Sequence, residues 1–86
     1  MSPEVANVVG FAGMSLIVAA YAYLTASKAP NPILLHGANL AGATLLVLSL
    51  LVNTNLPALV LEAIWASIAA VGLVMAIRSK MRKPQP

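Results

Sequence analysis

Between Lys28 and Arg78 the chain carries a single charged side chain, Glu62, and its apolar residues gather into three runs of about the length a bilayer requires. Each run must satisfy its backbone internally if it lies in lipid, and among short unbroken segments only the α-helix does so. The pattern predicts an all-α, integral membrane three-helix bundle: one domain over 1–86, with helices over 5–24, 33–52 and 56–77 and a basic tail over 78–86. Composition points the same way. Hydrophobic residues make up 60% and charged residues 8% of the 86, against about 25% charged in an ordinary water-exposed domain. The first partner implied is the lipid bilayer.

The breaks between the runs have a physical cause. Ala29-Pro-Asn-Pro32 places two prolines where a helix would need backbone donors. Asn53-Thr-Asn-Leu-Pro57 offers Thr54 or Asn55 as a helix cap, with Pro57 in the first turn. Ala20-Tyr-Ala22 has the small residues of a signal-cleavage site, but the segment before it has no basic start, so the first run is expected to be retained. Lys28, Arg78, Lys80, Arg82 and Lys83 all fall on one side of a three-span chain. By the positive-inside rule this predicts N-terminus out and C-terminus in, with these five cations setting topology and touching anionic lipid. No aromatic or fold signal accompanies the basic tail, so nucleic acid is not an expected partner.

Chemistry-bearing residues are few. There is no cysteine, His36 is the sole histidine, and Glu4 and Glu62 are the only side-chain carboxylates. One chain therefore cannot close a four-ligand zinc site, and neither a metal nor another cofactor is expected. Ser15, Ser49 and Ser67 lie in the apolar runs without a suitable base, so an enzyme is not expected either.

Helices meet in lipid through close packing, which directs attention to small residues. Ala12, Ser15, Ala19 and Ala22 form such a stripe on the first helix, beside a bulkier one of Phe11, Met14, Val18 and Tyr21. The second helix gathers Gly37, Ala38, Ala41, Gly42 and Ala43 in its first half, so its close contacts are expected toward the cytoplasmic end. On the third, Ala66, Ala69, Ala70, Gly72 and Ala76 should meet protein, whereas Val60, Ile64, Ile68, Val71 and Met75 suit lipid.

Three residues stand out as a candidate substrate or proton site: Glu62, Asn39 and Trp65. Glu62 shares the small-residue face of the third helix, and a carboxyl within an apolar span usually faces protein or a water-filled cavity. It lies only about 8 Å below Pro57, so an interfacial or structural role stands beside the functional one. Asn39 either bonds across helices, at about 0.6 kcal/mol, or contacts substrate. His36 is expected near headgroups and water. Trp65 with Tyr21 and Tyr23 makes a sugar-stacking set on one reading; on the other the tyrosines are interfacial anchors.

Gly10-Phe-Ala-Gly13, Tyr21, Asn39-Leu-Ala-Gly-Ala43 and Leu61-Glu-Ala-Ile-Trp-Ala66 leading into Gly72-Leu73 resemble a family of small uncharacterised bacterial membrane proteins. In size and layout that family is similar to the SemiSWEET and PQ-loop transporters, whose three-helix units pair around a substrate route. The Pro-Gln pair of the PQ-loop group is missing here; Tyr21-Ala-Tyr23 stands in its place. The resemblance implies a SemiSWEET-like bundle in a bacterial inner membrane, working as a homodimer and transporter half-unit with no substrate specified. The alternatives are an accessory or scaffold subunit of a larger membrane complex, and then a holin-like protein.

Overall fold

A computed structural model describes residues 1–82, so Lys83 of the basic tail lies outside the described residues. The chain forms three helices, α1 (Pro3–Ala26), α2 (Pro32–Val52) and α3 (Leu56–Met81), each long and apolar enough to cross a membrane. They make a rod of 54 × 23 × 20 Å.

Each helix begins by the same device. A polar side chain caps the first turn and a proline follows in a position that needs no backbone donor. Ser2 accepts from Val5 N, Asn31 from Ile33 N and Leu34 N, and Asn55 from Ala58 N, with Pro3, Pro32 and Pro57 in the respective first turns. At the other end α3 continues beyond Ile77 to Met81, taking Arg78 and Lys80 into its last turn. Both residue types favour helix, and positive charge is stabilised at a helix C-terminus. At 1.5 Å per residue α3 is about 39 Å long, which exceeds a hydrocarbon core of about 30 Å and lets that basic turn clear it.

α2 is the middle of the three. It packs against both neighbours, while no Cα of α1 comes within 8 Å of one in α3 among the described residues. The expected bundle is thus an open row, with α1 and α3 as separate walls on α2. The α1–α2 contact is close. A Cβ added to Gly13 would lie 2.5 Å from Gly42 O, one added to Gly42 would lie 2.6 Å from Gly13 O, and one added to Gly10 would lie 2.7 Å from Ser49 Oγ. Only glycine lets the two backbones come so close.

This corrects two expectations about contact faces. On α1 the buried residues are Ala6, Gly10, Gly13 and Ala20, whereas the alanine-serine stripe Ala12, Ser15, Ala19 and Ala22 is exposed. Two small-residue stripes competed, and the one with glycines allows the closer approach. On α2 the close contacts are not confined to its first half: His36 lies against Gly72, Gly42 against Gly13, and Ser49 against Gly10, while Gly37 faces open space. α3 follows its expectation, with Ala69 buried, Ala66, Ala70, Gly72 and Ala76 half-buried, and Val60, Ile64, Ile68, Val71 and Met75 exposed.

The loops are tied back to α1. Asn53 Nδ2 donates to Pro3 O at 3.1 Å and Asn7 Oδ1 at 2.9 Å, and Asn31 N donates to Tyr23 Oη at 2.7 Å. Asn53→Ala removes two bonds that join the α2–α3 loop to the start of α1, at an expected cost of about 1–2 kcal/mol. Reversible unfolding in mixed micelles measures it; wild-type stability would show that these bonds merely replace bonds to water.

Candidate functional site

Because α1 and α3 stand apart, a groove runs between them with α2 as its floor. It contains two neighbouring cavities. The one toward the Lys28 loop has a volume of about 590 Å³ and is lined by Ile17, Val18, Tyr21 and Leu24 of α1, Leu35, His36 and Asn39 of α2, and Trp65, Ile68 and Ala69 of α3. The one toward the Asn53 loop measures about 430 Å³, with Asn7, Gly10, Phe11 and Met14 on α1, Leu46, Ser49 and Leu50 on α2, and Ala58, Leu61 and Glu62 on α3. The α1 residues 7, 10, 11, 14, 17, 18, 21 and 24 recur at three- and four-residue steps, so one helix face serves both cavities.

The three residues singled out in the sequence are divided between them. Asn39 and Trp65 share the larger cavity with His36 and Tyr21, and Glu62, about one helical turn before Trp65, lines the smaller one. Asn39 makes no side-chain hydrogen bond within the described residues, which leaves its amide to the cavity. Tyr21 is 70% exposed at the groove's edge, whereas Tyr23 faces the other side of α1 and holds the Asn31 backbone. The aromatic trio is therefore a pair, Tyr21 and Trp65.

Glu62 is half-buried, and its Oε2 is closed off from solvent without a hydrogen-bond partner. Asn7 and Ser49 were not singled out beside it. Ser49 is buried at 7% exposure against Gly10. Ser15, Thr44 and Ser67 each donate to the carbonyl four residues back, at 2.7–2.8 Å. Ser49 makes no such bond. Its seven-residue step from Gly42 placed it on the Gly42 face, but only the packing of α2 between the other helices brings that face to Glu62.

Lys28 is exposed in the α1–α2 loop, and Arg78, Lys80 and Arg82 are exposed at the end of α3, the same end of the rod. The opposite end is the one nearer Glu62.

Fold and groove together define a small all-α protein of three helices long and apolar enough to cross a membrane, with Asn7, His36, Asn39, Ser49 and Glu62 along one open face. A family model matches residues 6–80, and the chain belongs to that small uncharacterised family. No curated protein and no solved structure matches it.

Proposed function

We propose that the chain is a transporter-like half-unit that acts as a parallel homodimer, the open groove of one copy facing that of the other. The observation that carries this reading is the groove itself. It runs past both cavities, it collects Glu62, Ser49, Asn7, Asn39, His36 and Trp65, and among the described residues no element closes it. Intramembrane polar side chains of this kind ordinarily face a protein interior or a substrate route. Two copies supply six spans and two floors, enough to enclose such a route.

In this reading the Lys28 end, with Arg78, Lys80 and Arg82, is cytoplasmic, the Glu62 cavity is reached from the outer side, and the membrane is the bacterial inner membrane. The chain binds and passes a solute without catalysing a reaction. A second reading, an accessory subunit of a larger membrane complex, draws on the mostly apolar lining of the larger cavity, which also suits a helix from another protein.

Interchain cross-linking separates the two. Phe11 and Leu61 lie on opposite walls of the smaller cavity, and the chain has no natural cysteine to interfere. A mixture of Phe11→Cys and Leu61→Cys chains should form a disulfide between copies in the membrane, and vesicles holding the purified pair should take up solute saturably. A monomer retained by a different, co-purifying membrane protein would favour the accessory role.

A further inference from the structure

The cavity at the Asn53 end has an unusual combination of groups for a membrane-embedded pocket. Among the described residues Glu62 is the only ionisable side chain lining it; its Oε2 is shut off from solvent, its Oε1 is not, and neither oxygen has a hydrogen-bond partner. Ser49 lines the same cavity, 7% exposed, with a hydroxyl that is not spent on its own helix. Asn7 adds an amide whose oxygen already accepts from Asn53 at 2.9 Å. The remaining wall is apolar, from Phe11, Met14 and Leu46.

Each property narrows the ligand. A carboxylate and a hydroxyl leave acceptors to be filled, which calls for N–H donors, and the lone acid calls for one positive charge. Calcium and magnesium take six or more oxygen ligands and zinc takes four, ordinarily from His, Cys, Asp and Glu, whereas this wall offers one carboxyl. A sugar needs polar partners for several hydroxyls, and here the lining offers one carboxyl, one hydroxyl and one amide whose oxygen is already engaged by Asn53. An anion would meet Glu62 unopposed. A primary ammonium ion has three N–H donors on one end, and an alkyl tail matches the apolar wall, with the Phe11 ring able to face the charge.

We infer that this cavity binds a small primary ammonium ion carrying an apolar tail, held by Glu62 and Ser49. As a statement about transport the inference rests on the half-transporter reading, since it names the class of solute that the dimer would carry. As a statement about binding it stands on this cavity alone.

The test uses n-butylammonium, with n-butanol as its uncharged counterpart, titrated calorimetrically into the full chain in lipid nanodiscs against empty nanodiscs. The cation should bind saturably and the alcohol should not. Glu62→Gln should weaken binding on the order of 10- to 100-fold, the range expected for losing a charge-assisted hydrogen bond, and Ser49→Ala by about 3- to 10-fold. Circular dichroism and reversible unfolding in mixed micelles show whether each variant is folded. Equal binding by wild type and a folded Glu62→Gln, or equal binding of cation and alcohol, would overturn the site. Interchain cross-linking and saturable uptake of some other solute without butylammonium binding would also overturn it, while leaving the dimer standing. Butylammonium binding without the interchain cross-link would support the site and remove the dimeric transporter.

Discussion

Replacing Gly13 with leucine is expected to force α1 away from α2 and to lower stability by about 1–3 kcal/mol, the usual range for overpacking, with more possible because backbone is in the way. The first atom of the new side chain would already sit 2.5 Å from Gly42 O, 2.9 Å from Leu45 Cβ and 3.0 Å from Leu46 N. Two of these are backbone atoms of α2 and have no rotamer to change. Gly42 is in the reciprocal position, against Gly13 O at 2.6 Å and Ile17 Cγ1 at 2.8 Å. Gly37→Ala is the matched control: nothing lies within 4 Å of an added Cβ there, so it should stabilise α2 by about 0.5–1 kcal/mol through helix propensity alone. Reversible unfolding in mixed micelles compares the two. A Gly13→Leu chain as stable as wild type would mean that the α1–α2 contact is not as close as described.

Glu62→Leu is expected to act in the opposite direction and stabilise the fold. A buried polar atom without a partner costs about 1–3 kcal/mol in proteins, and leucine removes that cost while keeping an apolar side chain of similar reach. A half-buried residue recovers the lower part of that range. If Glu62 were a structural hydrogen-bonding residue, the same substitution would destabilise. The sign therefore decides between the two roles open from the sequence, and it is read from the same unfolding curves.

How much of this was legible in the chain differs by level. The three long apolar helices were, because hydropathy and length are one-dimensional properties and proline marks the breaks. The α3 cap was narrowed to Thr54 or Asn55, of which the structure uses Asn55, and the protein-facing side of α3 was legible, where a single small-residue stripe opposes a bulky one. α1 was misread because Ala12, Ser15, Ala19 and Ala22 and the glycine-bearing stripe both satisfy the small-residue rule, and only the loss of the last Cβ at Gly10 and Gly13 separates them. The groove was not legible at all. It depends on which two helices fail to meet, and that follows from three-dimensional packing against α2. The pairing of Glu62 with Ser49 and Asn7 is a consequence of that arrangement, since the three stand on different helices.

The claim that α1 and α3 form an open groove completed by a second copy is tested most directly by the mixed Phe11→Cys and Leu61→Cys chains, distinguished by tags and oxidised in native membranes. Disulfides need Cα atoms no more than about 7 Å apart, and no Cα of α1 is within 8 Å of α3 in one chain. A disulfide therefore reports on two copies. The account predicts a tagged heterodimer linked through Phe11 and Leu61, with little linkage when both copies carry a single cysteine at Ile64, on the exposed bulky stripe of α3. Efficient linkage through Ile64 with none through Phe11 and Leu61 would contradict it.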